Sequence, residues 1–231
     1  MPSDMRALTS YTRHLMIQTA LRAFALLSFA AAPALASAPS AVATPRAAQL
    51  DTVVFGGGCF WGVQAVFQHT KGVVKATSGY SGGTVARPNY EQVTTGRTGH
   101  AEVVRVVYDP SKVSYQQLLT VFFTVAHDPT ELNRQGPDVG TQYRSAIFHT
   151  SDAQRQATRA FIAQLEKSGA VKQKVVTQVA PLRDFTVAEA YHQNYATLHP
   201  NQPYIRYNDA PKIAALKQDH PQLWTDTLAS Y

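Results

Sequence analysis

The sequence predicts an α+β protein: a mixed, mostly antiparallel sheet with helices packed on it. Three observations carry this. Short runs rich in valine, at 53–55, 73–80 and 101–108, read as strands. Segments 115–126 and 152–167 place apolar residues at helical spacing. Glycine, proline and aspartate cluster between them as turn signals.

In chain order, the apolar run Val53-Val54-Phe55 enters the turn Gly56-Gly57-Gly58, and a helix-compatible segment follows over 63–68. The second strand, 73–80, leads into a long glycine-rich loop that runs through Arg87-Pro88-Asn89-Tyr90 to Gly99. A loop of this length in a compact domain points to a binding surface. In the strand over 101–108, alternation puts Glu102, Val104 and Val106 on one face. Ser114 and Gln117 have capping-box spacing ahead of the helix bearing Tyr115, Leu118, Leu119, Phe122 and Ala126, which is expected to stop by His127-Asp128-Pro129.

A polar loop over 131–142, a strand near 145–149, a surface helix over 152–167 closed by Gly169, and a strand over 175–179 come next. Thr186 and Glu189 form a second capping-box pattern, predicting a helix through Tyr195. The chain from His199 is proline-rich and irregular, with a further helix over 211–217. The order β-α-β-β-α-β corresponds to a two-layer, ferredoxin-like plait with extra helices and loops.

The first 36 residues stand apart. An apolar stretch, 21–36, follows Arg6, Arg13 and Arg22 and ends in Ala34-Leu35-Ala36, the small-x-small pattern of a secretory signal. The expectation is export to the periplasm or beyond after cleavage near Ala36, the alternative being an uncleaved membrane anchor. Residues 37–49, rich in alanine, proline and serine, read as a flexible linker, and 50–231 as a single catalytic domain with an irregular C-terminal extension. The whole chain carries a formal charge of +6, falling to about +4 without the signal. That excess is scattered, which argues against nucleic acid or a membrane surface as partner.

One cysteine, Cys59, occurs in 231 residues. An exported chain with a single thiol has no internal disulfide to form, so the thiol is either buried or used. Its place after three glycines at a helix start, next to Phe60 and Trp61, favours use: helix N–H groups and the positive dipole end are expected to lower its pKa. Glu102, on an apolar strand face, is expected to be desolvated and to have a raised pKa. Locally, Asp138 also fits an ordinary turn aspartate, Phe60 and Trp61 core aromatics, and His192 a satisfied structural histidine. No paired-histidine spacing suggests a metal site.

The stretches GGGCFWG (56–62), Pro88-Asn89-Tyr90, Gly99-His100-Ala101-Glu102, 138–145 and 188–195 occur in an order that resembles the A-type peptide methionine sulfoxide reductases, over about residues 50–207. The resemblance implies reduction of methionine S-sulfoxide, in proteins and as the free amino acid. Cys59 would be the nucleophile and Glu102 the proton donor. Tyr90 and Tyr143 would hydrogen-bond the sulfoxide oxygen, Asp138 would be the active-site aspartate, and Phe60 and Trp61 would wall the methyl pocket with His192 near it. Many relatives carry further cysteines near the C-terminus, and this tail has none. The implied reductant is therefore an external thiol, thioredoxin-like, glutaredoxin-like or small, with no bound cofactor and a monomeric enzyme. The competing reading is a cysteine hydrolase with His100 or His192 as base.

Overall fold

The computed structural model describes residues 49–231; the predicted signal, and all but the last residue of the linker, lie outside the described residues. Six strands form one sheet: β1 (Asp51–Gly57), β2 (Val73–Ser81), β3 (Ala101–Tyr108), β6 (Ser145–His149), β7 (Gln178–Pro181) and β8 (Thr186–Val187). Their spatial order is β7-β6-β1-β3-β2-β8, antiparallel throughout except for the parallel β6–β7 pair. The central β6-β1-β3-β2 quartet is that of a ferredoxin-like plait. A separate hairpin, β4 (Arg134–Gln135) with β5 (Asp138–Val139), occupies the predicted polar loop.

Helices α1 (Phe60–Gln68), α3 (Tyr115–Val121), α4 (Asp152–Lys167) and α6 (Ala210–Asp219) bury their apolar residues in one core on one sheet face. At its centre Phe55 of β1 stacks on Phe67 of α1, with ring centroids 4.9 Å apart, and on Phe122 beyond α3, at 4.6 Å. Each fully buried ring contributes on the order of 2–3 kcal/mol from water exclusion, so these contacts fix α1 to the sheet. The opposite face has a smaller cluster, Val54, Ala101, Val103, Ala146 and Phe148, covered by Ala180, Leu182 and Phe185.

Ser114 accepts from the Gln117 N–H while the Gln117 side chain reaches back to the Ser114 N–H, forming the predicted capping box. After α3 the helix widens into a π turn, Phe122–Ala126, and ends at His127 in extended backbone. Two expectations are corrected. The strand expected over 175–179 begins three residues later as β7, because its pairing with Ala146 starts at Gln178. Thr186 opens no helix: Thr186 and Val187 pair with Tyr80 and Gly79 at the sheet edge, and Ala190–His192 is a single 3-10 turn ahead of the short helix α5 (Tyr195–Leu198). The Glu189 side chain, which the capping box would have used, instead accepts from the Tyr80 hydroxyl at 2.8 Å and the Tyr90 N–H at 2.9 Å. The long loop also contains a short helix, α2 (Tyr90–Thr94), where the sequence predicts only loop; Asn89 and Gln92 make its capping box.

The C-terminal stretch is irregular in backbone yet docked. Ser230 O accepts from the Ala76 N–H at 2.8 Å, Gln68 O accepts from the Ala229 N–H at 3.0 Å, and Trp224 stacks on His69 at 4.3 Å.

Candidate active site

Cys59 is the residue that caps the start of α1, where the chain leaves β1 through Gly58. Gly58 has φ of +90°, and a Cβ there would lie 2.6 Å from the Gln135 Cβ, so both the turn and the β4–β5 hairpin packed on it require glycine. The thiol is 8 % exposed. Its pKa is raised well above the ordinary value, first by burial, then by the Glu102, Asp209 and Asp138 carboxylates; the Trp61 N–H acts in the opposite direction. The expected lowering is thus reversed. A helix terminus contributes about 0.3–1 kcal/mol, less than one pKa unit, whereas burial of an ionisable group shifts by several.

Glu102 lies on the helix-side face of β3, beside Val104 and Val106, and is 2 % exposed. The Phe60 N–H donates to its Oε2 at 3.1 Å, which ties the carboxyl to the residue after the cysteine. Burial lifts its pKa to about 8, against the lowering effect of that hydrogen bond. At neutral pH it is therefore mostly a neutral acid with a proton to give, and beside it the thiol is also protonated.

Aromatic rings enclose the pair. Phe60 lies 5.9 Å from Tyr80 and 4.9 Å from His192. Trp61 stacks on Tyr195 at 3.8 Å, meets Tyr204 edge-on at 6.0 Å, and donates its indole N–H to His192 Nδ1 at 3.1 Å. That bond puts the His192 proton on Nε2, which lies 3.9 Å from Glu189 Oε2, beyond hydrogen-bond reach, and burial lowers the His192 pKa. His192 is a neutral wall of the site. Tyr90, whose ring is 4.5 Å from His192, has its pKa pushed up to about 12 by burial and then by the Glu102 and Cys59 charges. Tyr143, in the 3-10 turn after Gly140, is raised by burial and by Glu102. Both phenols stay protonated, as hydrogen-bond donors. Asp138 of β5 accepts from the Tyr204 hydroxyl.

The structure thus brings Cys59, Phe60, Trp61, Tyr90, Glu102, Asp138, Tyr143 and His192 into one interacting cluster. Sequence reasoning missed Tyr195, Tyr204, Glu189, Gln193 and Asp209, all from the stretch after β8. Gln193 locks that stretch to the sheet: it accepts from the Ser78 N–H and from the Gln64 amide, and donates to Ser78 O and Ala188 O. Four hydrogen bonds to one buried amide were foreshadowed only by the unusual apolar setting of Gln64 in α1.

Neither histidine of the hydrolase reading serves the thiol. His100 Nδ1 accepts from the Gly83 N–H and its Nε2 donates to Val85 O, so both nitrogens hold the glycine loop. His192 is engaged with Trp61. Gly62, in the first turn of α1, faces Asp209: a Cβ there would sit 2.6 Å from the Asp209 Cγ. Gly62→Ala is therefore expected to destabilise the fold by about 1–3 kcal/mol, read as a lower urea midpoint.

A buried thiol joined through one backbone N–H to a neutral carboxylic acid, inside an aromatic cage with two phenol donors, defines a proton-coupled thiol chemistry site. The family model for peptide methionine sulfoxide reductase matches residues 51–224. The chain is 56 % identical over 176 residues to peptide methionine sulfoxide reductase MsrA 2 of Mesorhizobium japonicum, covering 76 % of this chain and 90 % of that one. It is 51 % identical to the MsrA of Deinococcus radiodurans, covering 75 % and 84 %. Among solved structures, methionine sulfoxide reductase A of Corynebacterium diphtheriae superposes with a TM-score of 0.60 at 36 % identity, covering 66 % of this chain and 76 % of that one. The chain belongs to the peptide methionine sulfoxide reductase family.

Proposed function

We propose that this protein repairs oxidised proteins by reducing methionine S-sulfoxide, peptide-bound and free, with Cys59 as nucleophile and Glu102 as acid. The activity, thiol-dependent reduction of methionine sulfoxide to methionine, follows from family membership. The observation that carries the assignment of roles is the Cys59–Phe60–Glu102 arrangement: a thiol at the helix start whose next N–H binds a carboxyl with a pKa of about 8.

The sulfoxide enters with its methyl group against Phe60 and Trp61 and its oxygen toward Glu102, Tyr90 and Tyr143. The Cys59 sulfur attacks the sulfoxide sulfur as Glu102 protonates the oxygen, and the thiol's own proton returns to the carboxylate. The protonated oxygen leaves the substrate sulfur as water, a water molecule attacks the Cys59 sulfur and breaks its bond to the methionine sulfur, and methionine leaves while Cys59 keeps a hydroxyl as a sulfenic acid. Asp138 holds Tyr204, and so the edge of the Trp61 wall, in place. His192 fixes the Trp61 indole. Because the thiol is protonated in the empty site, attack is coupled to substrate arrival: a bound sulfoxide accepts the proton that the pair holds.

Cys59 is the single cysteine of the chain, so two equivalents of an external thiol reduce the sulfenic acid, giving a disulfide and water. A thioredoxin-like, glutaredoxin-like or small thiol fits this role. The signal-like stretch at 21–36 supports export and work in the periplasm.

The test is a single turnover of reduced protein with a methionine S-sulfoxide peptide and no added reductant. About one methionine per protein and a gain of about 16 Da on Cys59 are expected. Well-folded protein with a free thiol that forms no methionine would refute the assignment.

A further inference from the structure

Asp209 is a buried carboxylate that the steps above do not use. It ends the π turn Ile205–Asp209, is 0 % exposed, and presses on the first turn of α1 at Gly62. Buried carboxylates ordinarily take several hydrogen bonds. Here Oδ1 faces the Lys212 ammonium at 3.5 Å, and Oδ2 is buried with no hydrogen-bond partner among the described residues. A negative charge in this position competes with Cys59 for the positive end of the same helix.

The groups that face it come from four elements. Lys212 lies in α6 and is the compensating cation. Cys59 of α1, Asp138 of β5 and Glu102 of β3 each interact with it through their charges, and so does Tyr204, which precedes its turn. Lys212 in turn also acts on His127.

We propose that Asp209 and Lys212 are positioning residues that tune the reactivity of Cys59: the Asp209 carboxylate, packed against the first turn of the helix that Cys59 caps, restrains the thiol in the empty site, and Lys212 offsets that restraint. The inference rests on Cys59 as the reactive thiol. Burial, opposed by Lys212, raises the Asp209 pKa to about 6, whereas that of Glu102 is about 8, so the two carboxyls act in separate pH windows. As Asp209 ionises with rising pH, it holds back the growth of the thiolate fraction. Below that window, with Asp209 neutral, the restraint is absent.

The experiment is the rate of Cys59 alkylation by iodoacetamide, in the full chain, against pH. No other thiol in the sequence competes. The logarithm of the rate is expected to rise by about one per pH unit, with one bend near pH 6 from Asp209 and a second near pH 8 from Glu102. In Asp209→Asn the first bend is lost, the second stays, and the rate at neutral pH rises about threefold. In Lys212→Met the first bend moves to higher pH, because the carboxylate has lost its cation.

A bend near pH 6 that survives unchanged in folded Asp209→Asn overturns the proposal. If that variant fails to fold by circular dichroism, Lys212→Met decides, and an unmoved bend overturns it equally. Sulfoxide reduction is not the readout, so a protein with the two-bend profile that forms no methionine counts against the reductase assignment and leaves this inference standing.

Discussion

Cys59→Ser is expected to abolish methionine formation, to below about one part in ten thousand of the parent rate, while leaving the fold as stable or slightly more so. The two effects separate because the cysteine has no structural hydrogen bond to lose. It occupies the N-cap of α1 without a side-chain cap bond. Serine is a favoured N-cap residue, so thermal unfolding is expected to stay level or to shift upward by the equivalent of about 1 kcal/mol. Chemistry gives no such latitude. A serine hydroxyl cannot become a sulfenic acid, and nothing else in the chain is a thiol. Methionine release by chromatography and a melting curve on the same sample check both halves. Continued methionine formation by the serine variant would remove Cys59 from the mechanism, and retained hydrolysis of an ester would revive the hydrolase reading.

Glu102→Gln is expected to lower kcat by about a hundredfold to ten-thousandfold, the usual range for losing a general acid. The pH dependence makes the prediction specific. Glu102 has its pKa raised from 4.5 to about 8, so it holds its proton at neutral pH and loses it as pH rises through about 8. Parent activity is expected to fall along that limb, and the glutamine variant, which has no proton to lose, to lack it.

Stability falls in the same direction, with rising pH. Between the two pKa values the folded state binds more protons than the unfolded, so parent stability declines as pH rises from about 4.5 to 8. Above that range the glutamine variant is expected to be more stable than its parent by a few kcal/mol, and near pH 4 about equal. Urea unfolding at two pH values measures this. Equal stabilities at high pH would mean that the carboxyl is not desolvated in solution.

Much of the site was legible because it rests on local patterns. The glycine turn before Cys59, the alternation that put Glu102 with Val104 and Val106, and the capping box at Ser114 each depend on residues a few positions apart. Helix α2 was missed because five residues give too little periodicity, even though Asn89 and Gln92 cap it. The box at Thr186 misled for the opposite reason. Its local geometry was available, but pairing with Gly79 and Tyr80 satisfied the same backbone, and Glu189 was taken by Tyr80 and Tyr90.

The sequence by itself determined the succession of strands and helices along the chain, the thiol at the start of a helix and the acid on an apolar strand face, since periodicity and turn chemistry are properties of neighbours. Only the tertiary structure decided the sign of the cysteine's pKa shift and the arrival of Tyr195, Tyr204 and Asp209 around Trp61 and the first turn of α1. Those follow from how deeply the thiol is buried and which carboxylates arrive from distant segments, and in a low-dielectric interior such long-range terms outweigh the helix end that the sequence displays.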